Sequence, residues 1–302
     1  MTLLIHPGFH KTGTTWMQEV LFKDERLFNL MFDQLETDAL LVRPHDFQFS
    51  KQDATASIDA RRSAADSNLI DVISSELLCG NMFSGSRDSR ILAERLFAVT
   101  GPAKILLTVR AQRPMLKSVY LQYVKRGGRK SLTDFLNFEP EPGYNWFRPE
   151  IFEFHHLADH YASLFGAQNI LVLPQELLIG DRQAFFEILM KFVTGEALVE
   201  GMSVSNEKGV GISPPSSAIP MLRFANLLRK TPVNPEAMTS FSGVGDLLTS
   251  LSYRMRFGRK RKDANISREI KSFADGRYGV SNTKLQSYVP VDLSDLGYET
   301  QS

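Results

Sequence analysis

The stretch His6–Trp16, HPGFHKTGTTW, decides how this chain is to be read. Upstream of it, Thr2–His6 (TLLIH) is a short apolar run with β-formers that stops at Pro7 and Gly8, the mark of a strand entering a loop. Downstream, Trp16, Met17, Val20 and Leu21 recur at helical spacing from Thr14 onward. A strand, a glycine loop and a helix make a cradle for an anion. The helix start offers unpaired N–H groups and a positive dipole end, and glycine lets the backbone come close. Gly8 and Gly13 have the spacing of the phosphate-loop pattern G-x-x-x-x-G-K-[ST], but Thr14 stands in the lysine position and the lysine, Lys11, precedes Gly13. Three readings are open: a degenerate kinase loop, an unrelated glycine turn, or a loop built for a different transferred group.

Further apolar runs of strand length are Leu69–Ser74, Ala103–Val109 and Asn169–Leu173, the last ending at Pro174. Helical patterns lie between and after them, at Asp88–Val99, Pro114–Lys125, Pro149–Phe165 and Arg182–Val193. Alternation of this kind predicts a parallel sheet covered on both faces. Pro114 suits the first turn of its helix, where a missing N–H costs nothing. From residue 195 to 217 the chain is rich in Gly, Ser and Pro, and beyond it the signals are helical, at Ser217–Arg229, Asp246–Phe257 and Ser281–Tyr288. The expectation is a single domain over residues 1–302. An α/β nucleotide-binding core spans 1–194, and a loop with a helical C-terminal extension spans 195–302.

The bulk numbers exclude some classes. The chain has 302 residues, with 35 Lys plus Arg against 34 Asp plus Glu, so net charge points to no nucleic-acid partner. The lone cysteine, Cys79, excludes an internal disulfide and fits a reducing cytoplasm as a small buried apolar residue. No apolar run suggests a membrane span, and MTLLIH enters the loop without the features of a signal peptide, so a cytoplasmic location is expected. There is no HExxH and no Cys/His cluster of zinc spacing, so no metal is expected. From Arg95 to Thr133 there is no acid, where about four would be expected, and the run is either a solvated basic face or a wall for a polyanion.

Several segments together resemble one family. His10–Val20, HKTGTTWMQEV, is similar to the 5′-phosphosulfate loop of the sulfotransferases, whose core K-x-G-T-T-W follows the first strand. Leu106–Tyr123, LLTVRAQRPMLKSVYLQY, resembles that family's 3′-phosphate motif, a strand ending in Arg with Ser eight residues later, here Arg110 and Ser118. Val172–Leu178 (VLPQELL) resembles a weaker third element around Glu176, and Tyr278–Tyr298 looks like the ending of bacterial members. The resemblance implies a P-loop NTPase-like three-layer α/β fold with a central parallel sheet. It also implies 3′-phosphoadenosine 5′-phosphosulfate (PAPS) as sulfuryl donor and adenosine 3′,5′-bisphosphate (PAP) as product.

Residue roles follow from the resemblance. Thr14 and Thr15, with the backbone N–H groups of Thr12 and Gly13, would hold the 5′-phosphate. Lys11 would sit by the oxygen bridging phosphate and sulfate and neutralise charge on the leaving phosphate; the alternative is an exposed loop lysine. Trp16 would stack on adenine, or else anchor the core. Arg110 and Ser118 would take the 3′-phosphate, the guanidinium by a two-pronged contact. Their alternatives are a structural ion pair and a helix serine bonded to its own backbone.

A base must take the acceptor's hydroxyl proton. Glu76, at the carboxyl end of its strand in VISSELL, is the first candidate, and His45 and Asp46 in RPHDF are the others; a structural Glu76 stays open. His6 is expected to point into the sheet. Three features depart from the family pattern: His10 replaces a proline, Gln175 replaces a tyrosine, and the glycine-rich closing segment survives only as EKGVG at Glu207–Gly211, with Lys208 a candidate for the 3′-phosphate.

Two segments stand outside the motifs. Tyr144, Trp146 and Phe147 lie on a Pro/Gly loop (EPEPGYNWF), either to stack on a sugar or to be buried as anchors. Arg254–Lys262 holds six basic residues, either attracting an anion or ending a solvated helix. The expectation is a sulfotransferase acting on a hydroxyl of a carbohydrate or glycolipid. The rivals are a nucleotide-dependent phosphotransferase, which Thr14 contradicts, and a non-catalytic PAP-binding protein. A sulfuryl group carries less charge than a terminal phosphoryl group, so the lost G-K-[ST] step, which normally serves Mg²⁺, is consistent with the first reading.

Overall fold

The structure is a computed structural model that describes residues 2–66, 68–196, 215–231, 242–254 and 259–301. Strands β1 (Leu3–His6), β2 (Phe28–Leu30), β3 (Ile70–Ser74), β4 (Lys104–Val109) and β5 (Ile170–Pro174) form one parallel sheet in the order β2-β3-β1-β4-β5. His6 lies opposite Ser74, Ile5 opposite Ile105, and Val109 opposite Pro174. In chain order the helices are α1 (Thr14–Trp16, continued by a wider π-turn segment Met17–Leu21), α2 (Gln34–Thr37), α3 (Lys51–Ser63), α4 (Ser89–Thr100), α5 (Gln112–Lys125), α6 (Leu132–Asn137) and α7 (His155–Phe165). After them come α8 (Gln175–Gly180), α9 (Arg182–Thr194), α10 (Ile219–Ala225), α11 (Ser242–Arg254), α12 (Arg259–Ala274) and α13 (Gly279–Leu285).

The chain gathers into two compact units. The first holds residues 1–111, 150–210 and 278–302, and the second holds 112–149 and 211–277. In the first unit, β1, β3 and β5 are buried along their whole length, as a parallel sheet covered on both faces requires. One face packs Leu4, Val72, Leu106 and Leu171 against Trp16, Met17 and Leu21 and against Phe185, Phe186 and Leu189 of α9. On the other side α7 packs on β4, β5 and α4. Two buried ionisable residues, Asp71 and His6, interrupt the apolar strands, and both are satisfied. Asp71 accepts from Asn29 at 2.7 Å and Arg62 at 3.2 Å, and His6 lies between Ser74 and Thr108.

The second unit is helical among its described residues. Asn226, directly after α10, is buried and donates to the Val124 and Gly128 carbonyls, which ties the end of α10 to the end of α5. Lys117 of α5 pairs with Asp263 of α12 at 3.0 Å.

The four strands expected from the sequence are present within a residue of their predicted ends, whereas β2 and helices α2, α3, α6, α8 and α12 were not anticipated. The expected helix Pro149–Phe165 opens as a 3₁₀ turn, Pro149–Phe152, and becomes α-helical only at His155. The helix read at Asp246–Phe257 is α11, which starts earlier at Ser242; Phe257 lies outside the described residues. No helix among the described residues is long and apolar enough to cross a membrane.

Candidate active site

In an open parallel sheet the ligand crevice lies beyond the carboxyl ends of the strands, where the direction of the connections reverses. Here that edge carries the glycine loop after β1, Glu76 after β3 and Arg110 after β4. All three belong to the first unit.

The loop is held from beneath. Thr12 is fully buried, and its hydroxyl donates to the Phe9 carbonyl at 2.5 Å and meets the Thr108 hydroxyl at 2.8 Å. Phe9 N–H donates to the Thr108 carbonyl at 3.3 Å. Thr108 also meets His6 Nε2 at 3.1 Å, and the opposite ring nitrogen meets Ser74 at 2.9 Å. Burial pushes the His6 imidazole down to about 3, so it is a neutral strut between β3 and β4, pointing into the sheet as expected.

Backbone geometry explains the glycines. A Cβ on Gly8 would lie 2.5 Å from His6 Nε2, and one on Gly13 would lie 3.0 Å from Leu178. Gly13 adopts φ 94°, and Lys11 adopts φ 68°, a left-handed conformation that non-glycine residues seldom hold. The helix opens at Gly13 with no side-chain cap, so no capping side chain takes up its first N–H groups. This fits a phosphate group, which needs N–H donors and close backbone approach.

Glu76 is brought to this loop by a 3₁₀ turn, Glu76–Cys79, that starts directly after β3. Its Oε2 lies 3.4 Å from the Thr14 hydroxyl, and its Oε1 lies 3.3 Å from Nδ1 of His10. Ser75 orients the turn: its hydroxyl accepts from Leu77 N–H at 3.1 Å and donates to Asp38 at 2.6 Å. Burial holds the Asp38 carboxyl above its ordinary range, while the Ser75 hydroxyl works the other way. Cys79 is buried as expected; its thiol donates to the Glu76 and Gly8 carbonyls and is pushed up by burial and then by the Glu76 charge.

The other base candidates sit elsewhere. Asp46 is bound to Arg95 at 2.6 Å, and Arg95 also donates to the Leu41 and Pro44 carbonyls beneath Phe49. His45 is exposed and caps the short turn Asp46–Gln48, with its Nδ1 accepting from Phe47 N–H at 3.4 Å. Both are accounted for by local structure.

Arg110 is half-buried where β4 ends. Burial draws its guanidinium below the ordinary value, and the charge of nearby Glu176 works against this. Glu176 accepts from Ala111 N–H at 3.1 Å and from the Tyr298 hydroxyl at 3.1 Å. Burial, followed by the charge of Glu176, raises the Tyr298 phenol well above its usual range. Tyr298 went unnoticed in the sequence: 122 residues separate it from Glu176, and no local spacing signals the contact.

Trp16 is buried in the apolar cluster of the sheet, and the Arg182 guanidinium lies 4.7 Å from its ring centroid, so it anchors the core. Adenine stacking on the face that Arg182 covers would require that guanidinium to move. Thr15 is exposed beside the buried Thr14. Ser118 lies half-buried on α5 of the second unit. Lys208 and the segment 207–211 lie outside the described residues.

The basic stretch is largely engaged within each unit. Arg95 holds Asp46, Lys104 lies over Phe192, Arg113 and Lys117 pair with Asp275 and Asp263, and Lys130 lies over Phe138. These contacts favour structural roles over a polyanion wall. Of the aromatic loop, Phe147 is buried and stacked on Phe135, Trp146 donates to the Phe135 carbonyl at 3.2 Å, and only Tyr144 is widely exposed. Away from the loop, Glu153, His155 and His156 have potential ligand atoms within 4.8 Å of one another, but Glu153 pairs with His156 and His155 bonds Ser281.

Fold and site thus define an α/β protein with a phosphate-loop-like glycine turn after its first strand. No family model and no curated protein matches the sequence. Among solved structures the chain is similar to a sulfotransferase from Alicyclobacillus acidocaldarius, with a TM-score of 0.49 and 13% identity over 86% of this chain and 99% of that one. It is also similar to the sulfotransferase domain of the Synechococcus PCC 7002 olefin synthase (TM-score 0.38, 12% identity, 89% and 93% covered). A sulfotransferase domain from the curacin biosynthetic pathway gives 0.38 and 13% over 90% and 96%.

Proposed function

We propose that this chain is a sulfotransferase that moves a sulfuryl group from PAPS to a hydroxyl. The observation that carries the reading is the approach of Glu76 to the glycine loop, where its Oε2 lies 3.4 Å from the Thr14 hydroxyl. It puts an acid/base group beside the place where an anionic donor would end. In the reaction the acceptor oxygen attacks sulfur in line, the bond from sulfur to the bridging oxygen breaks, and the electron pair stays on the leaving phosphate. Lys11 neutralises that phosphate, and Glu76 takes the hydroxyl proton. Backbone N–H groups at Thr12 and Gly13 with Thr14 and Thr15 would hold the 5′-phosphate, and Arg110 the 3′-phosphate. Ser118 keeps only the role that the resemblance implies.

The acceptor we favour is a carbohydrate or glycolipid hydroxyl, supported by the resemblance of Tyr278–Tyr298 to bacterial members and by exposed Tyr144. A cytoplasmic location, a single functional domain and action without a metal belong to the same reading. The test is release of PAP from labelled PAPS with a panel of methyl glycosides as acceptors. Wild-type protein is expected to transfer label, and Lys11→Ala to turn over about 100- to 1,000-fold more slowly. Unchanged turnover in Lys11→Ala removes its role. Tight PAP binding without transfer to any acceptor makes the chain a binding protein, and turnover of ATP/Mg²⁺ makes it a phosphotransferase.

A further inference from the structure

We propose that His10 and Glu76 form one proton-accepting couple, with His10 a positioning residue that acts through the Glu76 carboxylate. The proposal rests on Glu76 serving as the base of the reaction given above.

His10 is the position in HPGFHKTGTTW that the family resemblance leaves without a role. It is 6% exposed, and its Nε2 lies 3.2 Å from the Gly80 carbonyl oxygen. A carbonyl has no hydrogen to give, so Nε2 carries the ring hydrogen. The partner is fixed in turn. Gly80 N–H donates to the Leu77 carbonyl at 2.9 Å, and Gly80 adopts φ 86° where a Cβ would meet the Ser86 backbone at 2.9 Å. The tautomer of the neutral ring is therefore set by the turn after β3.

That tautomer leaves a lone pair on Nδ1, which lies 3.3 Å from Glu76 Oε1. The two atoms are within ion-pair range, yet Nδ1 is buried and has no aligned hydrogen-bond partner among the described residues. The last torsion of a glutamate turns over a broad, shallow range, so the carboxylate can align on Nδ1 without moving its chain. At this separation a bare carboxylate and a bare ring nitrogen repel. One proton shared between them turns the contact into a charge-assisted hydrogen bond.

The carboxylate therefore joins two environments. Oε2 faces Thr14 on the loop, and Oε1 faces His10. As the acceptor oxygen bonds to sulfur, its proton passes to the carboxylate, and His10 Nδ1 shares that proton from the other side. The leaving phosphate keeps the electron pair of the broken bond, and the couple returns its proton to solvent after product leaves. Among the described residues, Asp38 after α2 feels the charges of both Glu76 and His10, and Cys79 after β3 feels that of Glu76; Arg43 acts on Asp38 and Asp88 on Cys79 in turn, and Lys11 follows His10 on the loop.

In the couple a second acceptor, Nδ1 of His10 at 3.3 Å from Oε1, helps to hold the proton that the carboxylate takes up, and a couple that already carries a proton is no base. Wild-type activity should therefore fail at a higher pH on its acid side than activity supported by Glu76 without a titrating partner. The test is the pH profile of PAP release from PAPS, with methyl glycosides as acceptors and with water where none is used. His10→Gln supplies an amide donor for the Gly80 carbonyl but no titrating nitrogen. We expect its acid limb to move down by about one pH unit or more, with turnover at neutral pH about tenfold lower and PAP affinity within about twofold of wild type. In His10→Ala, added imidazole should restore turnover, which keeps the test decisive if the glutamine variant folds poorly. An acid limb unmoved in His10→Gln, or no imidazole rescue in His10→Ala, overturns the couple. Wild-type protein that transfers no sulfuryl group, or a fully active Glu76→Gln, overturns the proposed function and the couple with it. Active wild type, inactive Glu76→Gln and an unmoved limb overturn the couple and leave the proposed function standing.

Discussion

Replacing Arg110 by alanine isolates the 3′-phosphate end of the site. Arg110 leaves β4 half-buried and near Glu176, so its guanidinium is already partly stripped of water before any ligand arrives. A hydrogen bond to a charged group in such a place contributes about 1.5–3 kcal/mol, which corresponds to about 10- to 150-fold in affinity. The fold should survive the change, because Glu176 keeps the Ala111 N–H and the Tyr298 hydroxyl as donors, each at 3.1 Å. The assay is calorimetric titration with two ligands, PAP and adenosine 5′-phosphate, the second lacking the 3′-phosphate. Arg110→Ala should weaken PAP by the stated factor and leave adenosine 5′-phosphate within about twofold. Arg110→Lys should recover part of the loss, since it restores the charge without the two-pronged fork. Equal weakening of both ligands, or none of either, refutes the assignment.

Two other outcomes follow from the same geometry. Asp46→Ala should lower stability by about 1–2 kcal/mol, a value discounted because Asp46 is half-exposed, while leaving PAPS turnover unchanged; a loss of turnover at unchanged stability would make Asp46 the base. His6 contributes a pH dependence of stability. Burial holds the folded imidazole at about 3 against an ordinary 6.5, so below 6.5 the unfolded chain takes up a proton that the native chain refuses. The contribution is intact above that pH and is lost as pH falls toward 3, by up to about 1.4 kcal/mol per unit. In urea unfolding, His6→Gln should flatten that acid slope, and an unchanged slope would contradict the buried neutral histidine.

What the sequence revealed depended on how local each signal was. β1 and its loop were legible because strand, glycine spacing and helix lie within a short stretch, and β3, β4 and β5 because each is a nearly unbroken apolar run. β2 escaped because Phe28–Leu30 is three residues inside a mixed segment. Helices α3 and α12 escaped because few apolar residues mark them: α3 buries only Ala54 and Ile58, and α12 carries the charged run at its start. At the site, Glu76 and Arg110 could be placed because both end strands. The partners that define their environment could not: Gly80 lies 70 residues from His10, and Tyr298 lies 122 from Glu176. The same limit applied to Asp46, whose pairing with Arg95 spans 49 residues and has no local signal in the sequence.

In the function proposed above, the loop around Lys11 and Gly13 holds the phosphosulfate end of PAPS. Thermal unfolding in the presence of PAP, and separately of ATP with Mg²⁺, tests it most directly. A ligand at about 100 times its dissociation constant stabilises the native state by about 2.7 kcal/mol. PAP should raise the midpoint of wild-type protein and raise it less in Arg110→Ala, while ATP with Mg²⁺ leaves it unmoved. A midpoint that rises with ATP and Mg²⁺ and is indifferent to PAP would make the loop a nucleoside-triphosphate site and not a phosphosulfate site.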